Sequence, residues 1–144
     1  MPNWCKVEMT IFGPAGDLDR FEKQAEGVVP ATAFEPSKAT PLAFKSFVPQ
    51  PEDSRTDTTI EKNGFPRCQN WREQHWGTAW EPIEVEKTRQ ASCLHFTFLT
   101  GWTPPIALVE RLAAMYPALD FDLRYEEHNM QIQGRVVARE GVMA

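Results

Sequence analysis

Long apolar runs are missing from this chain. Its 144 residues are 42% hydrophobic, yet no stretch approaches the roughly 20 consecutive apolar residues a membrane-spanning helix needs. The opening residues, Met1-Pro2-Asn3-Trp4-Cys5, lack a basic region followed by an apolar segment, so no signal peptide is expected and the chain reads as cytoplasmic. Cysteine is scarce. Cys5, Cys68 and Cys93 make an odd set without a paired framework, which reads as free thiols in a reducing compartment. Basic residues are in deficit: 15 Lys and Arg stand against 20 Asp and Glu, for a net charge of −5. That balance argues against a phosphate-backbone partner, which requires a basic patch, and makes a protein partner the expectation ahead of nucleic acid. Glycine-rich phosphate loops are absent too. Gly13-Pro14-Ala15-Gly16 follows a strand and opens a helix, but lacks the further glycines and the lysine.

Catalytic and metal-binding spacings are equally sparse. The candidate ligands are Cys5, Cys68, Cys93, His75, His95 and His128, and they form neither Cys-x-x-Cys nor His-x-x-x-His. No metal site and no other cofactor is expected. Cys93 and His95 share a strand face and are the one pair with the residue types for thiol chemistry, which needs a base and an electropositive pocket. Side by side on a strand, they read more simply as a small apolar residue and a satisfied histidine. Asp120 and Asp122, or Glu84 and Glu86, recur at strand spacing and read as solvated face residues. The expectation is a protein that is not an enzyme, with an uncharacterised Cys93/His95 enzyme as the outlying alternative.

What the chain has instead is tryptophan. Trp71, Trp76 and Trp80 fall within residues 70–80, and Trp4 and Trp102 lie in Asn3-Trp4-Cys5 and Gly101-Trp102-Thr103. Tryptophan marks either a packing anchor or a recognition surface. Trp71 and His75, four apart, share a helix face, and Trp76 and Trp80 flank a turn. An exposed patch for a partner is one reading. Anchoring of an irregular segment is the other, favoured by the usual burial of tryptophan.

The periodicities give the fold. Cys5, Val7, Met9 and Ile11 alternate with polar residues over 3–12, a half-buried strand. Asp17 suits a helix cap; Leu18, Phe21 and Ala25 form that helix's apolar stripe, and Gly27 its stop. From Val28 to Pro66 the pattern fails, six of the 12 prolines fall here, and Phe34, Leu42, Phe44, Phe47, Val48 and Phe65 stand as isolated anchors. This reads as a long ordered insertion with a mobile tip over 52–59, rather than a linker, because the piece before it is too small to fold alone. Pro66 opens a short tryptophan-bearing helix that Gly77 ends.

Ile83 and Val85 begin a strand, and Leu94, Phe96 and Phe98 alternate strongly in the next. Thr103-Pro104-Pro105 starts a helix with a threonine cap, buried through Ile106, Leu108, Val109, Leu112, Ala113 and Met115 and stopped by Pro117. Leu119, Phe121, Leu123 and Tyr125 alternate in a further strand. A turn at Glu127-His128-Asn129 leads to a last strand over 130–138, with Gly134 as a bulge. Strand, helix, insertion, two strands, helix, two strands predicts one α+β domain over 1–144. It is a ferredoxin-like two-layer sandwich: an antiparallel sheet with helices on one face, and an insertion over 28–80 carrying the tryptophan cluster.

Four phrases carry a family resemblance: Met1-Pro2-Asn3-Trp4-Cys5, Pro49-Gln50-Pro51, His75-Trp76-Gly77-Thr78-Ala79-Trp80 and Thr100-Gly101-Trp102-Thr103-Pro104-Pro105. In this order they resemble the YubB-type ferredoxin-like proteins carried by bacterial plasmids and phages. The resemblance implies the same fold and a mobile-element origin, and no activity. Val7, His75 and Ala79 depart from it, standing where asparagine, asparagine and a basic residue are common.

The resulting expectation is an accessory protein that binds a protein, in its most concrete form an inhibitor of a host defence system such as CRISPR or restriction. The expected contact residues are Trp4, Trp71, His75, Trp76, Trp80 and Trp102, with Asp120 and Asp122 on an acidic open sheet face. The alternative is a single-stranded RNA-binding module using that face. It would need exposed aromatics on the central strands, whereas Phe96 and Phe98 share a face with Leu94, matching a buried set.

Overall fold

The computed structural model describes residues 3–31 and 33–144; Met1 and Pro2 of the opening phrase lie outside them. β1 (Trp4–Phe12) leads through α1 (Ala15–Ala25) into β2 (Gly27–Val29) and β3 (Lys38–Thr40), which form a small hairpin. A 3₁₀ turn at Phe44–Ser46 and the short α2 (Glu52–Arg55) precede α3 (Arg67–Trp76). Then follow β4 (Ile83–Gln90), β5 (Cys93–Gly101), α4 (Ile106–Met115), β6 (Asp120–Glu127), β7 (Ile132–Arg139) and β8 (Val142–Met143). The main sheet has the order β4-β5-β1-β6-β7-β8, all neighbours antiparallel. β4-β5-β1-β6 with α1 and α4 is the ferredoxin-like arrangement, and the expected α+β two-layer sandwich is the fold of this protein.

The alternation dictates the layers. Cys5, Val7, Met9 and Ile11 on β1, Leu94, Phe96 and Phe98 on β5, and Phe121 and Leu123 on β6 all point to one side and are buried. Leu18, Phe21 and Ala25 of α1 and Leu108, Val109, Leu112 and Ala113 of α4 close over them. Burying one such large apolar side chain stabilises by about 1.5–3 kcal/mol, so a one-residue register slip that turned β1 inside out would be prohibitive. At the β4 edge, Glu22 of α1 receives Lys87 at 2.8 Å and Arg89 at 2.8 Å. The Lys87 ammonium is the main reason the Glu22 carboxyl sits below its usual range.

Several expectations need correction. Asp17 does not cap α1: extended Pro14 precedes the helix, and Asp17 pairs with Arg20 in its first turn. Gly27 begins β2 rather than ending the helix in a left-handed turn. Phe34 (96% exposed) and Phe65 (47%) are not anchors; Leu42, Phe44, Phe47 and Val48 are, all within the main core. Within the tip over 52–59, α2 occupies 52–55, and Asp57 accepts from the Thr59 and Cys68 backbone N–H groups. Thr103 does not cap α4: its hydroxyl donates to the Gly77 carbonyl at 2.6 Å, and Met115 is exposed. Gly134 makes no bulge. Its register with Tyr125 is unbroken, and a Cβ there would come within 2.6 Å of the Tyr125 ring. The bulge lies in β4 between Ile83 and Glu86.

Candidate functional site

The insertion brings tryptophan to two places. Trp76, at the end of α3, is 2% exposed; its indole N–H donates to the Val48 carbonyl at 2.9 Å and its ring meets Phe44 edge-on at 5.7 Å. Trp71 meets Trp76 edge-on at 6.0 Å and stacks on His75 at 4.1 Å, while His75 Nδ1 lies 2.8 Å from the Trp71 carbonyl. Trp76 was expected at a partner surface. Its burial removes it from one, because a side chain sealed in the core has nothing left to offer a partner. Trp71 and His75, half-buried, complete this anchor.

After α3 the chain turns on Gly77, whose φ of 88° belongs to the left-handed region. A side chain there would also come within 2.9 Å of the Ile106 nitrogen. Thr78 donates to the Gly101 carbonyl at 2.8 Å, and the next residues cross the end of the sheet. Glu81 fastens this crossing: its carboxylate accepts the Phe44 N–H at 2.5 Å and the Lys45 N–H at 3.1 Å. Burial pushes the Glu81 carboxyl above its ordinary value, against those two hydrogen bonds. Arg72 adds its Nε to the Ala79 carbonyl. Ala79 is fully buried, so this position faces no partner.

The crossing delivers Trp80 to the sheet's open face. Gly101 and Trp4 are register partners there, Trp80 lies against Gly101, and the Trp4 and Trp80 rings are 6.4 Å apart. Trp102 follows with φ of 68°, its N–H donating to the Asn3 carbonyl at 2.8 Å and its side chain 37% exposed. Ile83, also exposed, faces Leu99 beside this corner. Trp4, Trp80 and the backbone of Trp102 thus meet at one strand end, joined through Gly101 and Asn3.

The rest of the open face is uncovered strand surface. Rows run Glu86-Thr97-Glu8-Arg124-Arg135 and Thr88-His95-Thr10-Asp122-Val137 across β4 to β7. Lys6, Glu8, Arg124, Glu126, Gln133 and Arg135 line a shallow concavity of about 770 Å³. The expected acidic face is therefore a mixed one, since cross-strand register interleaves Lys6, Arg124, Arg135 and Arg139 with the acids. Asp122 is committed within it: Arg135 grips both oxygens at 3.0 and 2.7 Å, which holds the carboxyl below its usual range. Asp120 lies at the far end, in register with Phe12 and remote from the tryptophans. His95 Nδ1 lies 2.9 Å from the Thr10 hydroxyl, and no hydrogen bond joins it to Cys93 among the described residues. Among the described residues, no group of three or more His, Cys, Asp and Glu gathers to hold a metal, and no helix is long and apolar enough to cross a membrane.

Fold and site together define a ferredoxin-like domain with an uncovered sheet face and a tryptophan-lined strand end. Residues 75–144 match the family described as "Ferredoxin-like domain in Api92-like protein". The crystal structure of protein Api92 from Yersinia pseudotuberculosis superposes with a TM-score of 0.67 over 100% of this chain and 96% of that one, at 10% identity. At that identity the likeness is one of fold. Comparison with curated proteins produced no match.

The crossing at 77–82 and the Glu81 clamp escaped sequence reasoning. A half-buried carboxylate that accepts from a distant turn leaves no periodic signal.

Proposed function

We propose that this chain is a non-enzymatic accessory protein of a mobile genetic element that binds a protein partner through its tryptophan-bearing strand end. The observation carrying the reading is the gathering of Trp4, Trp80 and Trp102 beside exposed Ile83. Aromatic side chains left at a surface, next to an aliphatic one, are the anchors protein interfaces use. That His95 is engaged by Thr10 rather than by Cys93 supports a non-enzymatic role over thiol chemistry. The mobile-element origin, and inhibition of a host defence such as CRISPR or restriction as its concrete form, rest on the YubB-type resemblance.

A second reading has one observation in its favour: Trp4 and Trp80 sit on the open face near Lys6, as a base-stacking platform for single-stranded RNA would require. Glu8, Glu86 and Glu126 on the same face count against it, because they repel phosphate. The test is affinity capture with the wild type and a Trp102→Ala/Ile83→Ser variant. A stoichiometric protein captured by the first and lost by the second is expected. A salt-sensitive shift of single-stranded RNA by the pure protein, with no protein captured, would overturn the reading.

A further inference from the structure

Four exposed side chains at the centre of the open face form a rectangle of alternating sign. Lys6 is in register with Glu126 and Glu8 with Arg124, so each cation has an anion beside it both along and across the strands. Neighbours so placed are within reach of one another to close into ion pairs. Here they do not. Lys6 and Glu8 make no ion pair among the described residues, Arg124 reaches only Asp122 at 3.9 Å, and Glu126 only His128 at 3.7 Å. Arg135, by contrast, is held by Asp122 and lies a strand away. β5 supplies the uncharged flank: Cys93, His95, Thr97 and Leu99.

We propose that two copies of this chain pair through these open faces about a two-fold axis lying in the face and passing through the rectangle. The symmetry of the charges carries the inference. Whether the axis runs along or across the strands, the rotation lays every charge over one of opposite sign: Lys6 meets Glu8 or Glu126 of the second copy, and Arg124 meets Glu126 or Glu8. An isologous contact requires such self-complementarity, and a random mixed-charge surface does not have it. The face lies at the lower end of the size such a contact needs. Five strands spaced about 4.8 Å apart, rising about 3.3 Å per residue over eight residues, present roughly 600 Å² in projection. Stable interfaces bury about 800 Å² of corrugated surface per partner. Trp102 lies beyond the strand end, outside the paired rows, whereas Trp4 shares the open face with Lys6 and Ile83 pairs with Leu99 on it, so the pairing adjoins the proposed partner site and only Trp102 stays clear of it.

Sedimentation velocity across micromolar concentrations tests the pairing, with circular dichroism to confirm that each variant is folded. The wild type should sediment as a dimer that high salt weakens. Lys6→Glu sets a glutamate against a glutamate under either axis and should weaken pairing by about tenfold or more. The inverted variant Lys6→Glu/Glu8→Lys/Arg124→Glu/Glu126→Lys restores alternation. It should dimerise with itself and refuse the wild type in a tagged mixing experiment. A wild type that stays monomeric at the highest concentration, a Lys6→Glu dimer of unchanged strength, or an inverted variant that joins the wild type as readily as itself would each sink the proposal. A monomer that still captures a protein through Trp102 would sink it while leaving the proposed function standing.

Discussion

Trp80 rests against Gly101, in the space where any other residue would place its Cβ. Gly101 is also the register partner of Trp4, so its missing side chain forms the floor between two indoles. Gly101→Ala should therefore push Trp80 off the sheet at an overpacking cost of about 1–3 kcal/mol. Urea unfolding reads the loss, and a changed tryptophan emission spectrum reports the displaced ring. Unaltered stability and emission would show that the corner can absorb a methyl group.

Trp76 separates packing from hydrogen bonding. Trp76→Phe keeps most of the ring but leaves the buried Val48 carbonyl without its donor, a loss of roughly 1–3 kcal/mol. Trp76→Ala removes the ring as well and should cost about 3–5 kcal/mol. Chemical denaturation of the two variants gives the ordering; equal losses would mean that the ring adds nothing beyond the hydrogen bond, and a Trp76→Phe variant as stable as the wild type would mean that the hydrogen bond adds nothing.

Glu81 should leave a mark on the pH dependence of stability. Its folded-state carboxyl is raised by burial above the unfolded glutamate value of about 4.3. The folded state then holds its proton more tightly than the unfolded state does. The associated stability is present below that unfolded value and is lost as pH rises through the folded one. Glu81→Gln, which cannot ionise, removes this loss, so the wild type minus variant stability difference should fall as pH rises from 4. Asp122 works in the opposite sense. Arg135 depresses its carboxyl, so its contribution is present above the unfolded aspartate value of about 3.9 and disappears as pH falls through the folded one. Denaturant melts of Glu81→Gln and Asp122→Asn from pH 3 to 8 check both directions.

Solvent access to the five tryptophans should be graded. Trp102 should be quenched by iodide most readily, Trp4, Trp71 and Trp80 partially, and Trp76 hardly at all. Quenching of the five single Trp→Phe variants assigns each contribution. Unchanged iodide quenching in Trp102→Phe would contradict the exposed strand end.

The two layers were legible in the sequence because alternation and helical periodicity are local. Cys5 to Ile11, Leu94 to Phe98 and Leu18 to Ala25 each declare a buried face within one element, and two-layer packing leaves those faces one place to go. The tryptophan anchor was half legible: the Trp71–His75 stack follows from helical spacing, whereas the burial of Trp76 depends on Phe44 and Val48, some thirty residues earlier. Caps were misread at Asp17 and Thr103, where suitable side chains are spent on Arg20 and on the Gly77 carbonyl. Strand register lay outside the sequence's reach altogether. Register puts Trp4 beside Gly101 and interleaves Lys6 and Arg124 with Glu8 and Glu126, turning an apparently acidic face into a mixed one. The sequence by itself determined which face of each element is apolar, since that is set by neighbours two, three or four residues away. Only the tertiary structure decided which side chains meet on the open face, because cross-strand partners up to 120 residues apart are chosen by the packing of the whole sheet.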